Sequence, residues 1–333
     1  MELTLILLLV ALSVYVLFGG ADFGGGLLEL ALRGHPKLQK KLQATLAPVW
    51  EANHVWLIAV VVILFVGFPK AYAGLSTVLF VPISLALLGI ILRGAFFTFR
   101  KYDPQPDGWQ RYYGWLFRAS SVLAPMMFGF IVAAMLGTFP IPGDAGVDFY
   151  SIYIQPWLNG FGLVCALFIN ALFAYLAAVF FFGELNVEEE RDVLRKRIKI
   201  FFPASFVLGG TTLLAGTISG SVSIDKAIQP LQFVFIVVSL AAVLLLFRSM
   251  AKSNGWMMRL AAGVQVLCIL FGWFVTQFPL FIRYTNGAQL TVYDAAAPEV
   301  TLYWLNIGLI VVLAMVIPML VYLYRVFEAA RES

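Results

Sequence analysis

Six ionisable side chains lie inside long apolar runs of this sequence: Asp22, Glu29, Glu51, His54, Arg93 and Arg118. A charge at membrane depth is costly, so such groups face protein or water and often mark a route for protons or ions. Asp22 and Glu29 are seven residues apart and share one helix face. Glu51 and His54 are three apart and share another. Carboxylates can pass protons through ordered waters, an arginine nearby holds them ionised, and a hydrated histidine titrates near neutral pH. These residue types suggest a proton or ion entry path along Glu51, His54 and Asp22, with Arg93 as its charge partner. A structural reading stands beside it. Glu51 follows Pro48 in a first helical turn, where a carboxylate complements the helix dipole, and Glu29 is spaced to pair with Arg33 at i,i+4.

Other chemistries find little material. His35 and His54 are the two histidines, and Cys165 and Cys268 the two cysteines. The chain lacks the CxxCH motif that attaches haem covalently, and His35 sits in a basic loop, so a bis-histidine haem cannot be built here. No metal set is expected. The run Gly19-Gly20-Ala21-Asp22-Phe23-Gly24-Gly25-Gly26 allows either close helix approach or a bend beside Asp22. Most tryptophans fall near the ends of apolar segments, as in an interfacial belt; Trp50 and Trp56 are the candidates for a quinone or lipid contact.

The elements that must position these residues are membrane spans. The 333 residues are 62% hydrophobic and 12% charged, with a mean hydropathy of +0.92. That is too apolar for a soluble core. Nine segments are long enough to cross a bilayer, near 3–31, 49–68, 74–98, 115–138, 154–183, 200–218, 228–248, 256–280 and 300–325. The N-terminal stretch is read as the first span rather than a cleaved signal, since it opens on an acidic residue and stays apolar past the usual signal length. With the N-terminus outside, 18 of the 22 basic residues fall in inner loops or at inner span ends, Lys70, Lys226 and Arg283 fall outside, and Arg93 lies within a span. The positive-inside rule therefore predicts an outer N-terminus and a cytoplasmic C-terminus. The expected fold is all-α: a polytopic protein of nine transmembrane helices in two four-helix bundles, residues 1–140 and 150–283, plus a ninth helix at 298–327. The basic balance serves membrane topology and does not point to nucleic acid.

Four segments carry a family resemblance. Gly20-Ala21-Asp22-Phe23-Gly24-Gly25-Gly26 resembles the GFDxGxG signature of subunit II of cytochrome bd-type quinol oxidases. Ala47-Pro48-Val49-Trp50-Glu51-Ala52-Asn53-His54-Val55-Trp56-Leu57 resembles that family's APxWDGNxVWL. Arg93 to Arg100 resembles its arginine-bounded stretch closing span three, and Gly272-Trp273-Phe274-Val275-Thr276-Gln277-Phe278-Pro279 its GWxxxQxP segment. The motifs occur in the family's order and span essentially the whole chain. The sequence departs from the pattern by carrying glutamate at Glu51, alanine at Ala52, histidine at His54, and GAD in place of GFD.

The resemblance implies a haem-free accessory subunit in a bacterial or archaeal cytoplasmic membrane. Its partner, subunit I, would carry haems b558, b595 and d and the quinol site. The complex would oxidise quinol and reduce oxygen to water, with quinol protons leaving outside and substrate protons entering from the cytoplasm. The resemblance assigns proton entry to the acidic residue of the second motif, here Glu51. It leaves room for a structural quinone, a small single-span subunit and bound lipid. Two other readings stay open: a stand-alone proton-coupled secondary transporter, which a mid-membrane acid in a glycine-rich helix also fits, and a scaffold whose acids are satisfied by Arg93 and water.

Overall fold

The structure, a computed structural model, describes residues 1–46, 50–102, 109–141, 148–223, 225 and 229–332; the side chains of 50–52, 101–102, 321 and 323–332 also fall outside the description. The first apolar run forms one long helix, α1 (Glu2–Ala31), interrupted only by a π turn at Tyr15–Gly19. A short amphipathic helix, α2 (Pro36–Leu46), follows. It buries Leu38, Leu42 and Leu46 and leaves its lysines exposed. Next come α3 (Trp50–Val62), which runs into a second π turn at Ile63–Gly67, and α4 (Pro69–Val78).

This second span departs from the expected straight helix. The chain bends by 114° between Asn53–Gly67 and Pro69–Val78. Pro69 has no N–H to continue the ladder and instead starts a new helix at its first turn. As a result the third span, α5 (Phe80–Tyr102), begins about two turns later than expected. Helix α6 (Trp109–Leu136) returns antiparallel to it. The fifth apolar segment is also shorter than expected. Residues Phe149–Tyr153 form a separate short helix, α7, and the span proper is α8 (Gly160–Phe182), where the Asn159 side chain accepts from the Gly162 amide at 2.8 Å. Then follow α9 (Glu188–Ile218), whose polar first turns extend past the apolar segment, α10 (Pro230–Ala251) and α11 (Gly255–Gln277). Among the described residues, eight helices are long and apolar enough to cross a membrane, or nine if the bent pair is counted as one span.

One element was not expected from the sequence. After α11 the chain forms a two-stranded antiparallel hairpin, β1 (Leu280–Arg283) and β2 (Gln289–Thr291), turned at Gly287 with a φ of +87°. A short helix, α12 (Val292–Ala295), and the last long helix, α13 (Glu299–Glu332), complete the chain. The Thr291 and Asp294 side chains cap α12 reciprocally. The Thr291 hydroxyl, followed by its backbone amide, holds the Asp294 carboxyl below the usual aspartate range. The capped form is therefore favoured above that range and is lost as pH falls through the depressed value. Amide exchange at β2 and α12, corrected for intrinsic rates, should quicken on acidification, and Asp294→Asn should remove that pH dependence.

Helix α8 lies at the centre and is mostly buried, whereas α10 and α13 expose most of their apolar side chains. One hydrophobic core joins Leu28 of α1, Leu32 just after it, Leu42 of α2 and Phe117 of α6 to Leu176 of α8 and Val266 of α11. The glycine run stays α-helical after the π turn and serves close approach. A Cβ on Gly24 would stand 1.9 Å from the Phe173 carbonyl oxygen, and one on Gly26 would stand 2.4 Å from the Ser121 Cβ. Helix α13 and the residues before it dock on the first two spans: the Thr4 hydroxyl donates to Asn306 Oδ1 at 2.9 Å, and the Ala297 amide donates to the Gly67 carbonyl at 2.9 Å.

Candidate functional site

Two acids of α1 meet two arginines of α5 in successive rungs. In the first rung, Arg93 Nη1 donates to Asp22 Oδ2 at 2.8 Å and Arg93 Nη2 to Asp22 Oδ1 at 2.6 Å. The same Nη2 also reaches the Asp22 carbonyl oxygen at 2.9 Å, and Nε donates to the Ser121 hydroxyl of α6 at 3.1 Å. Both side chains are 1–2% exposed. The guanidinium lies between the rings of Phe23 and Phe117, 5.1 and 5.2 Å from their centroids. Four protein acceptor atoms thus meet this arginine: Asp22 Oδ1, Oδ2 and carbonyl O, and the Ser121 hydroxyl, a pattern that suits a planar buried fork.

In the second rung, Arg100 Nη1 donates to both Glu29 oxygens at 2.9 Å, and Arg118 Nη1 of α6 donates to Glu29 Oε1 at 3.0 Å. The expected Glu29–Arg33 pair is therefore replaced. Helix α1 ends at Ala31, so Arg33 leaves the helical register that an i,i+4 contact needs. Parallel helices explain the ladder. Asp22 and Glu29 are seven residues apart on α1, Arg93 and Arg100 are seven apart on α5, and seven residues rise about 10.5 Å. Antiparallel α6 then offers Ser121 to the first rung and Arg118 to the second. Arg118 is the more exposed of the two Glu29 partners, at 23% against 11% for Arg100. Arg118→Gln should lower stability by at most about 1 kcal/mol, while Arg100→Gln should cost about 3 kcal/mol or more. Thermal midpoints of the two purified variants check the difference.

The second span meets α1 one turn away from the Asp22 rung. The Asn53 side-chain amide, 2% exposed, donates to the Phe18 carbonyl oxygen within the π turn at 3.3 Å. The same turn carries Tyr15, whose buried hydroxyl has no hydrogen-bond partner among the described residues. His54 is half-buried and lines an open groove of about 350 Å³ between α3 and α5, with Ile90, Ile91, Gly94, Ala95, Thr98 and Phe99. The backbone of Trp50 and Glu51 belongs to the first turn of α3, but their side chains lie outside the described residues. Trp56 packs partly buried beside an aromatic cluster that includes Tyr15, Phe23 and Phe173. Among the described residues no group of three or more His, Cys, Asp or Glu side chains is arranged to hold a metal ion.

Sequence reasoning found Asp22, Glu29, Arg93 and Arg118 as interior charges. It missed Ser121, Asn53 and Tyr15 as site residues, and it read Arg100 as a basic loop residue and the end of a motif without pairing it with Glu29. The signal for Arg100 was present in the matched seven-residue spacing of two acids and two arginines on spans of the same direction. The π turn leaves no comparable trace in residue types.

A sequence model of the family described as "Cytochrome bd terminal oxidase subunit II" matches residues 1–327. The chain is 25% identical to cytochrome bd ubiquinol oxidase subunit 2 of Bacillus subtilis, over 98% of this chain and 95% of that protein. A second Bacillus subtilis protein, a putative cytochrome bd menaquinol oxidase subunit II, is 28% identical over 55% of this chain and 51% of its own length. Among solved structures, the bd oxidase from Geobacillus thermodenitrificans contains a chain with the same fold. It matches with a TM-score of 0.78 and 20% identity, over 98% of this chain and 99% of that one.

Proposed function

Because this chain belongs to the cytochrome bd terminal oxidase subunit II family, we propose that it works as the haem-free membrane subunit that stabilises a haem-bearing partner and admits substrate protons. The family makes it a subunit of a quinol-oxidising, oxygen-reducing complex. The finer assignments are our own reading. Haems b558, b595 and d and the quinol site belong to subunit I. A structural quinone or lipid contacting Trp50 and Trp56, and a small single-span subunit, remain compatible with this assembly. The division at 1–140, 150–283 and 298–327 is kept as its internal organisation.

Orientation follows from charge. The 18 basic residues assigned inside support a cytoplasmic face at the end of α1 that carries Glu29. Protons consumed in oxygen reduction then enter from the side where the ladder lies. Glu51 and His54 are the groups proposed to carry them. Asp22 contributes as a fixed negative charge, since both of its carboxylate oxygens are held by Arg93. The observation that supports this reading is the buried Asp22–Arg93 ion pair beside the π turn of α1.

The assembly claim is tested by gentle purification from native membranes, followed by a reduced-minus-oxidised optical spectrum. A haem subunit should co-purify and show b- and d-type bands. A colourless homo-oligomer competent on its own would overturn it in favour of a transporter.

A further inference from the structure

We infer that Asn53 is a positioning residue, setting the register of the second span against the first so that Glu51 stands at the level of the Asp22–Arg93 pair. The inference rests on the proposal that Glu51 carries protons.

A side-chain amide buried in a membrane protein needs a partner, because no water competes for it there. Asn53 has one side-chain hydrogen bond among the described contacts, from Nδ2 to the Phe18 carbonyl oxygen. A carbonyl only accepts, so the amide must turn its nitrogen toward it. The acceptor lies in the π turn Tyr15–Gly19, a local widening of the kind that often marks functional sites. The contact therefore joins the first turn of α3 to the one irregular turn of α1.

Its position fixes a register. Helices α1 and α3 run antiparallel, so stepping back two residues from Asn53 on α3 corresponds to stepping forward two from Phe18 on α1. The backbone of Glu51 is thereby brought level with Gly20, roughly 3 Å along the axis from Asp22. A slip of one turn would move Glu51 by about 5.4 Å, which would separate it from the fixed charge. Among the described residues the Asn53–Phe18 contact is a side-chain hydrogen bond that joins α1 to α3.

The test is oxygen consumption by the assembled oxidase, purified with its haem bands intact, as wild type, Asn53→Leu, Asn53→Gln, Glu51→Gln and the Asn53→Leu/Glu51→Gln double variant. Asn53→Leu should lower maximal turnover roughly tenfold or more with the KM for quinol unchanged. Asn53→Gln, which keeps the amide, should recover most of the rate. The double variant should be no slower than Glu51→Gln alone, because both act through one group. Equal factors from Asn53→Leu in both backgrounds would assign it a merely structural role and overturn the inference. So would full turnover of Asn53→Leu beside a slowed Glu51→Gln. A Glu51→Gln variant with wild-type turnover instead sinks the parent proposal, and this one with it. If Asn53→Leu fails to assemble, Asn53→Ala, which removes the donor without adding bulk, serves for the same comparison.

Discussion

Asp22→Leu should cost the folded subunit about 3–5 kcal/mol, because it strands the Arg93 guanidinium in an interior where it is 2% exposed. The loss exceeds that of a typical ion pair. Arg93 gives up two charged acceptors and keeps only the Asp22 backbone carbonyl and the Ser121 hydroxyl. The rings of Phe23 and Phe117 flank the guanidinium. The expected outcome is a sharp fall in assembled subunit in the membrane and a much lower thermal midpoint in detergent. Replacing both partners, Asp22→Leu with Arg93→Met, should be less damaging than Asp22→Leu alone, since no unpaired charge then remains buried. A double variant worse than either single one would mean that the pair is net stabilising even against apolar packing.

The second large effect lies two residues further along α1. Gly24→Val should prevent stable packing of α1 on α8. Even the first added carbon would stand 1.9 Å from the Phe173 carbonyl oxygen and 2.3 Å from its carbonyl carbon. Those atoms belong to the backbone of the central helix and cannot turn aside as a side chain could. Overpacking a well-packed core typically costs about 1–3 kcal/mol, and a backbone clash belongs beyond the upper end of that range. Separating the helices would also pull Asp22 from Arg93, so the two losses compound. Expression and thermal midpoint read the effect. Gly34→Ala, where an added carbon meets nothing within 4 Å, is the neutral control.

Much of this was legible in the residues. Nine apolar segments, the charges inside them and the glycine run can be read directly, because membrane burial penalises each exposed charge one residue at a time. Pairing between helices is less legible. Glu29 had a plausible local partner in Arg33, and only the end of α1 at Ala31 rules it out. The bend at Phe68–Pro69 follows from a proline rule, yet an apolar run on both sides of Pro69 hides it. The hairpin after α11 was legible in principle: Asn286-Gly287 is a strong turn pair between its two strands, but the strands are only four and three residues long and the apolar run before them dominates. The Asn53–Phe18 contact depends on a π turn, and a π turn is set by tertiary fit rather than by residue type. Glu51, the residue given the most weight in sequence, rests on its motif and on its place in the first turn of α3.

Substrate protons are proposed to reach the oxidase through Glu51. The direct measurement is oxygen consumption by the purified complex carrying Glu51→Gln, normalised to intact haem absorbance. Turnover should fall by about tenfold or more while the haem spectrum and subunit ratio stay those of the wild type. Wild-type turnover in a fully assembled Glu51→Gln complex would contradict the account and leave this subunit with a structural role alone.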